Sequence, residues 1–212
     1  LMLWDNGSSD DVKDYLKTLD FFNFQYFSRH NLYDVPVLRA ISETAKILNA
    51  KYVCHVEDDL ELMEPECIPS LKKFLQDHED VGGIRLLKFD YYDQRKYDKR
   101  NPSKDVDRSN FMTLRNIVDG SSLSWSDPIE VGKYKFFKVN WHWYNFPIFA
   151  KSDVFSKVVV DGDVEPLQAQ EGRMAEQFNS LNLKLAILNG GVFNHLGTFN
   201  QKGSARLFVR DN

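Results

Sequence analysis

The sequence has only two cysteines, no long apolar run and no excess of positive charge, and each shortage excludes a class of protein. Cys54 and Cys67 show neither metal-ligand spacing nor a disulfide framework, which favours a reducing compartment. No apolar run approaches the ~18 residues that span a bilayer, and no signal peptide is visible. A net charge of −4 and a pI near 5.8 argue against nucleic-acid binding. We therefore expect a cytoplasmic protein, with peripheral attachment to a membrane left open.

The composition fits one globular domain. The chain has 212 residues, of which 42% are apolar and 27% are charged, so it is neither disordered nor fibrous. Aromatic residues make up 14%, and Trp125, Trp141 and Trp143 fall in one stretch. This stretch predicts either a sugar-stacking surface or plain packing. His142 lies between two of these tryptophans, so it is a candidate for the lining of an acceptor or sugar pocket, with an aromatic core as the alternative.

Strand and helix patterns alternate along the first half of the chain. Apolar runs predict strands at residues 1–4, 22–27, 52–56 and 81–89. Amphipathic stretches predict a helix after Ser9, a second helix with Pro36 in its first turn, and a third over residues 69–76. This alternation indicates βαβ units with right-handed crossovers. We expect an α/β fold, an αβα sandwich with a mostly parallel, Rossmann-like sheet.

The second half begins with a long polar stretch. Residues 90–135 predict a loop, either solvated or mobile over a ligand, with residues 90–108 as its most charged part. The aromatic residues 136–150 are predicted to return to the sheet, and a helix over 170–181 and a strand over 184–188 follow. We expect a single domain over residues 1–212.

Asp5 is the first candidate for a ligand contact. It ends the first predicted strand, and ligands of open α/β sheets bind outside the carboxyl ends of the strands. An acid at this place can accept a hydrogen bond from a ribose or a base. The alternative is a plain turn residue before Asn6 and Gly7.

Glu57, Asp58 and Asp59 are the second candidate, because they directly follow the predicted strand 52–56. Three adjacent carboxylates repel one another unless a cation or hydrogen-bond donors neutralise them. Oxygen ligands without a nearby thiolate favour Mg²⁺ or Mn²⁺. On an extended backbone Glu57 and Asp59 point the same way, so both could face one ion. A solvated acidic turn is the alternative.

Three segments resemble family-2-like glycosyltransferases with the GT-A fold. Residues 3–10 (LWDNGSSD) are similar to the family segment vDNgSsD, and residues 51–59 (KYVCHVEDD) are similar to the segment that ends in D-x-D. The pattern E-D-x-x-L…G-y-k-i-a…v-x-x-H matches residues 170–195 without a gap. The family has one more strand ahead of these segments, so we expect residues before Leu1.

The resemblance implies a metal-dependent site for a nucleotide sugar in residues 1–89 and an acceptor-binding half in residues 90–212. It implies Mn²⁺ or Mg²⁺ as the cofactor and a uridine diphosphate sugar as the donor. Glu57 replaces the first aspartate of the family motif, which keeps a carboxylate with a longer reach. For His195, which the resemblance implies as a metal ligand, the alternative is an ordinary packed or surface histidine. The implied donor-binding residues are Asp5, Arg39 and Asp58, and the implied metal ligands are Glu57, Asp59 and His195.

The resemblance also implies that Glu171 is the general base, in a sequence where Gln170-Glu171 replaces the family's Glu-Asp. We expect Glu171 in the first turn of its helix, on the inward stripe that Met174 and Phe178 define. Glu165 and Glu176 are the alternative bases. Asn182 replaces a family glycine and is compatible with the left-handed backbone that often follows a helix.

The predicted function is therefore transfer of a sugar from a nucleotide diphosphate sugar to a hydroxyl acceptor, such as a glycan, with inversion at the anomeric carbon. Two alternatives remain open. A sugar nucleotidylyltransferase shares the αβα architecture and the metal-binding carboxylates, and a degenerate family member would bind glycans without turnover.

Overall fold

The computed structural model describes residues 1–30, 34–57, 60–86, 126–140, 147–159 and 167–195. For residues 34, 35, 167–172, 194 and 195 the description is limited to the backbone. The strands in this part of the chain are β1 (Met2–Asp5), β2 (Phe24–Phe27), β3 (Tyr52–His55), β4 (Leu60–Leu62), β5 (Val81–Arg85), β6 (Ile129–Val131), β7 (Tyr134–Val139), β8 (Ile148–Lys151), β9 (Lys184–Leu188) and β10 (Phe193–His195). The helices are α1 (Asp10–Lys17), α2 (Asp34–Ile47), α3 (Ile68–Asp77), α4 (Ser152–Val158) and α5 (Leu167–Ser180), with a 3₁₀ turn at Pro65–Cys67.

The strands form one six-stranded sheet and two small sheets. The six-stranded sheet has the order β3-β8-β5-β9-β7-β6, β1 pairs with β2 in parallel, and β10 pairs with β4 antiparallel. Within the larger sheet β5 and β9 are parallel, whereas β7 is antiparallel to both β9 and β6. The α/β class is therefore confirmed, but the larger sheet is mostly antiparallel, and the mostly parallel, Rossmann-like sheet is not shown.

The β6–β7 hairpin corrects the predicted loop over residues 90–135, whose part from 90 to 125 lies outside the described residues. Val131 pairs with Tyr134 across a two-residue turn. Gly132 is the first turn residue, with φ +61°, as in the type II′ turns that suit twisted hairpins. The polar residues of this segment hide an alternation in which Val131, Tyr134 and Phe136 are buried.

The chain divides into two compact units. The first contains the described residues up to Val53 and from Ala150 to Leu183. In it α4 packs against both α2 and α5, and the hydroxyls of Ser42 on α2 and Ser156 on α4 lie 2.7 Å apart. Its fully buried side chains include Leu38, Phe155, Met174 and Phe178. By contrast, none of the residues of α1 is buried.

The second unit contains the described residues from Cys54 to Asn140, 147–149 and from Lys184 onward. Helix α3 packs on β5 and β6, and the ring of Phe74 stacks on that of Phe136 at 4.3 Å. Both rings are fully buried, so this pair lies in the unit's core. In the described part of the molecule, no helix has the length and apolarity to cross a membrane.

Most of the predicted helices and strands are confirmed with shifted ends. Pro36 lies in the first turn of α2, where its missing N–H leaves no hydrogen bond unmade. Asn182, just after α5, has φ +54°, which confirms the left-handed backbone predicted there. The predicted strand over 81–89 ends at Arg85 in β5, and its residues 87–89 lie outside the described part.

Candidate functional site

Asp5 is the best-defined of the predicted site residues. It is the last residue of β1 and is only 5% exposed. Its Oδ1 accepts a hydrogen bond from the backbone N–H of Ser8 at 3.3 Å, and its backbone carbonyl accepts one from Ser28 at 3.0 Å. Its Oδ2 is buried without a partner among the described residues. The Ser8 contact fits a turn residue, while the second oxygen is an acceptor that no described group satisfies.

Only part of the predicted metal site can be located. Glu57 lies two residues beyond β3 and is half-buried, whereas Asp58 and Asp59 lie outside the described residues. The next residue, Leu60, begins β4. Glu57 interacts with another group of the protein.

The pairing of β4 with β10 brings the predicted histidine ligand to this segment. The Cα of His195, the last residue of β10, lies opposite that of Leu60, and the N–H of Met63 extends the pairing by donating to the carbonyl of Val192 at 2.8 Å. The description of His195 is limited to its backbone. No group of three or more potential ligands is found among the described side chains, which do not include those of Asp58, Asp59 and His195, so the metal site remains a prediction.

The predicted base, Glu171, lies further inside its helix than expected. Helix α5 begins at Leu167, so Glu171 is in the second turn rather than the first. Met174 and Phe178 are buried at 1% and 0% exposure, which confirms the stripe used to orient Glu171, although its own side chain is outside the description. Glu176 is exposed on the same helix, and Glu165 lies outside the described residues.

Arg39 lies on α2, directly after the fully buried Leu38, and is half-buried. Its contact with a diphosphate stays a prediction. Arg39, Asp5 and the backbone of Glu171 belong to the first unit, whereas Glu57 and His195 belong to the second. The tryptophan stretch, including His142, lies outside the described residues.

Arg85 is a candidate that the sequence reasoning missed. It ends β5 and is only 4% exposed, and it makes a contact with another group. Its neighbour Leu86 accepts hydrogen bonds from the N–H groups of Val192 and Phe193 at 2.8 and 3.1 Å. A permanently charged group is rarely buried without a function or an acidic partner. The available signal was an arginine inside an otherwise apolar strand.

A search of the sequence against known protein families finds no match, and neither does a search against curated proteins.

Proposed function

We propose that the chain is a family-2-like glycosyltransferase of the GT-A fold, which transfers a sugar from a nucleotide diphosphate sugar to a hydroxyl acceptor with inversion. The observation that carries the proposal is the pairing of β4 with β10. The strand that follows the acidic triplet pairs with the strand that ends in His195. Two motifs far apart in the sequence, which the resemblance assigns to one metal site, are thereby connected through neighbouring strands.

Asp5 supports the donor-binding part of the proposal. A buried carboxylate oxygen without a hydrogen-bond donor costs about 1–3 kcal/mol, and more when it is charged. A ribose hydroxyl or a base N–H would remove this cost when the donor binds. The position also fits, because Asp5 is at the carboxyl end of one of two parallel strands, β1 and β2.

The proposed cofactor fits the chemistry of the residues offered to it. Carboxylate oxygens and an imidazole are suitable ligands for Mn²⁺, and carboxylates alone for Mg²⁺. Glu57, Asp59 and His195 would hold the ion, and Asp58 would contact the sugar diphosphate. When bound, the ion would supply positive charge that stabilises the departing diphosphate.

The remaining steps belong to the side chains of the chain itself. The Glu171 carboxylate takes the proton of the acceptor hydroxyl as that oxygen attacks the anomeric carbon. The new carbon–oxygen bond forms while the bond from the anomeric carbon to the diphosphate breaks, and the nucleoside diphosphate leaves. Arg39 contacts the diphosphate and holds it in place.

The test is donor binding with and without metal. The melting temperature is measured with a panel of nucleotide sugars, with Mn²⁺ or with EDTA, for the native chain, for Asp59→Asn and for the control Asp20→Asn, which changes an exposed carboxylate. We expect stabilisation by at least one donor, lost with EDTA and in Asp59→Asn, and kept in Asp20→Asn.

Equal donor binding in EDTA, or unchanged Mn²⁺ affinity in Asp59→Asn, contradicts the proposed metal site. Formation of pyrophosphate from a nucleoside triphosphate and a sugar phosphate, without transfer to any acceptor, favours the nucleotidylyltransferase instead. Binding of glycans without either reaction favours the degenerate family member.

A further inference from the structure

A pocket of about 290 Å³ lies in the second unit, beside the carboxyl end of β9. One wall is the turn of the β6–β7 hairpin with the start of β7, a second is the connection from β9 to β10, and Glu64, just after β4, lines a third side. None of the residues that line it belongs to the proposed donor or metal site. Its polar lining residues are Glu64, Lys133, Tyr134, Lys135 and Asn189.

The β9–β10 connection is held firmly against the hairpin. The N–H of Asn189 donates to the carbonyl of Lys135 at 2.8 Å, and the N–H of Gly191 donates to the carbonyl of Leu188 at 3.0 Å. Gly190 and Gly191 both have positive φ, at +78° and +63°, a conformation that is costly for other residues. These contacts fix where the Asn189 side chain begins, so the wall is built before any ligand arrives.

The charges around the pocket are compensated. Lys133 Nζ contacts Glu64 Oε2 at 3.1 Å and Glu66 Oε1 at 3.0 Å, and Lys135 Nζ contacts Glu130 Oε1 at 3.2 Å. Of these glutamates only Glu64 lines the pocket, but each lysine is paired with at least one glutamate, so neither ammonium group is left without a counter-charge that a phosphate could replace. The ammonium groups equally disfavour a metal cation. The pocket is therefore suited to a neutral ligand.

Its hydrogen-bonding groups include both donors and acceptors. The Tyr134 hydroxyl donates to Glu64 Oε2 at 3.1 Å, and burial together with that hydrogen bond raises the pKa of Tyr134, so the hydroxyl stays protonated. The Oδ1 of Asn189 is buried and has no partner among the described residues. A ligand hydroxyl that donates to this oxygen would remove the cost of its burial.

We propose that this pocket binds one neutral sugar unit of an acceptor glycan, with a sugar hydroxyl donating to Asn189 Oδ1. A sugar ring carries the several neutral donors and acceptors that such walls require. The volume is at the lower end of the ~300–1,000 Å³ usual for ligand pockets, which favours a single ring. The acceptor assignment rests on the proposed function, whereas sugar binding itself does not.

The test uses the full chain labelled with ¹⁵N and titrated with maltose, cellobiose, lactose and chitobiose, and separately with inorganic phosphate. We expect at least one disaccharide to shift the amide resonances of Gly190 and Gly191, and phosphate to leave them in place. Asn189→Leu keeps the backbone N–H and removes the amide oxygen, so it should weaken binding at least 10-fold. Asn179→Leu, the same change at an exposed residue of α5, should bind like the native chain.

Tyr134→Phe serves as a second variant, which removes only the hydroxyl and should also weaken binding whether or not Asn189→Leu folds. The absence of any shift with the four disaccharides overturns the proposal. Binding of phosphate that is tighter than that of every disaccharide overturns it too, as does native-like disaccharide binding by both pocket variants. Sugar binding that depends on Asn189, without transfer from any nucleotide sugar, supports the pocket and contradicts the proposed function. Transfer from a nucleotide sugar with an unchanged acceptor KM in both pocket variants supports the proposed function and contradicts the pocket as the acceptor site.

Discussion

At the scale of single residues, two buried ionisable groups, Asp5 and Arg85, lie at the ends of β1 and β5. Both are at most 5% exposed, so the charge of each requires a compensating group. We therefore expect substitution of either residue to lower the free energy of unfolding strongly.

The Asp5 carboxylate allows a prediction about donor affinity. Asp5→Asn keeps an oxygen that can accept from Ser8 but removes the negative charge, and it leaves one acceptor where the carboxylate has two. Because a hydrogen bond to a charged group contributes about 1.5–3 kcal/mol, we expect donor affinity to fall by about 10- to 100-fold. Isothermal titration with the stabilising nucleotide sugar measures it. Affinity within twofold of the native chain would mean that Asp5 is a turn residue only.

Glu171 allows a prediction about turnover. Glu171→Gln keeps the size of the side chain but cannot take the proton of the acceptor, so transfer should fall by about 10²- to 10⁴-fold with donor affinity unchanged. Glu176→Gln, at an exposed position of the same helix, is the matched control. Single-turnover transfer and donor titration measure the two effects. If Glu176→Gln were the slow variant, the role of the base would pass to Glu176.

At the scale of helices and strands, α2 and α4 are joined by a hydrogen bond between two serines, Ser42 and Ser156. Ser42 is 4% exposed, so removing its partner leaves a buried hydroxyl unsatisfied. We expect Ser156→Ala to lower the free energy of unfolding by about 1–3 kcal/mol. The double variant Ser42→Ala/Ser156→Ala should lose less than the sum of the two single changes, measured by urea unfolding. Strict additivity would show that the hydrogen bond contributes nothing.

Asp80, directly before β5, forms ion pairs with Lys138 of β7 and Lys184 of β9. Partial burial raises the pKa of its carboxyl, but the hydrogen bond and charge of Lys138 at 2.6 Å and the charge of Lys184 at 3.6 Å outweigh this and hold the pKa below its usual value. The stabilisation is therefore present above the pKa of the unfolded chain, about 4, and is lost as the pH falls below it.

Asp80→Asn should consequently lower the free energy of unfolding at pH 7 by no more than about 1 kcal/mol, because the carboxyl is partly exposed and solvent screens the pair. The difference from the native chain should shrink towards pH 3. Urea unfolding at several pH values measures it, with Asp20→Asn as the control. A difference that is constant between pH 3 and pH 7 would show that the ion pairs are not its cause.

The elements differ in how far the sequence could predict them. The buried stripe of α3 and the apolar run of β9 are visible because local periodicity reflects burial on one face. The β6–β7 hairpin was missed because Glu130, Lys133 and Lys135 make the segment polar while alternate residues are buried. Sheet order could not be predicted, since pairing such as that of β8 with β5 joins distant residues and leaves no local pattern. The same limit hid the pairing of His195 with Leu60.

At the scale of the whole molecule, donor binding should appear as thermal stabilisation. A ligand that binds only the folded state at 100 times its dissociation constant adds about 2.7 kcal/mol to the free energy of unfolding. We expect this increase for a nucleotide sugar with Mn²⁺ and its loss on chelation. Differential scanning calorimetry measures it and also shows whether the two compact units unfold in one transition or in two. No stabilisation by any nucleotide sugar would contradict the proposed function as a whole.

The strand order also determines when the chain can fold during synthesis. Strand β5 lies between β8 and β9, both of which are translated after it, and β9 follows about a hundred residues later. At a translation rate of roughly 5–20 residues per second, β9 is translated on the order of 5–20 s after β5. Until β8 is translated, the buried apolar residues of β5, Val81 and Ile84, have neither neighbouring strand beside them. The nascent chain therefore exposes this part of its core while its middle third is being translated.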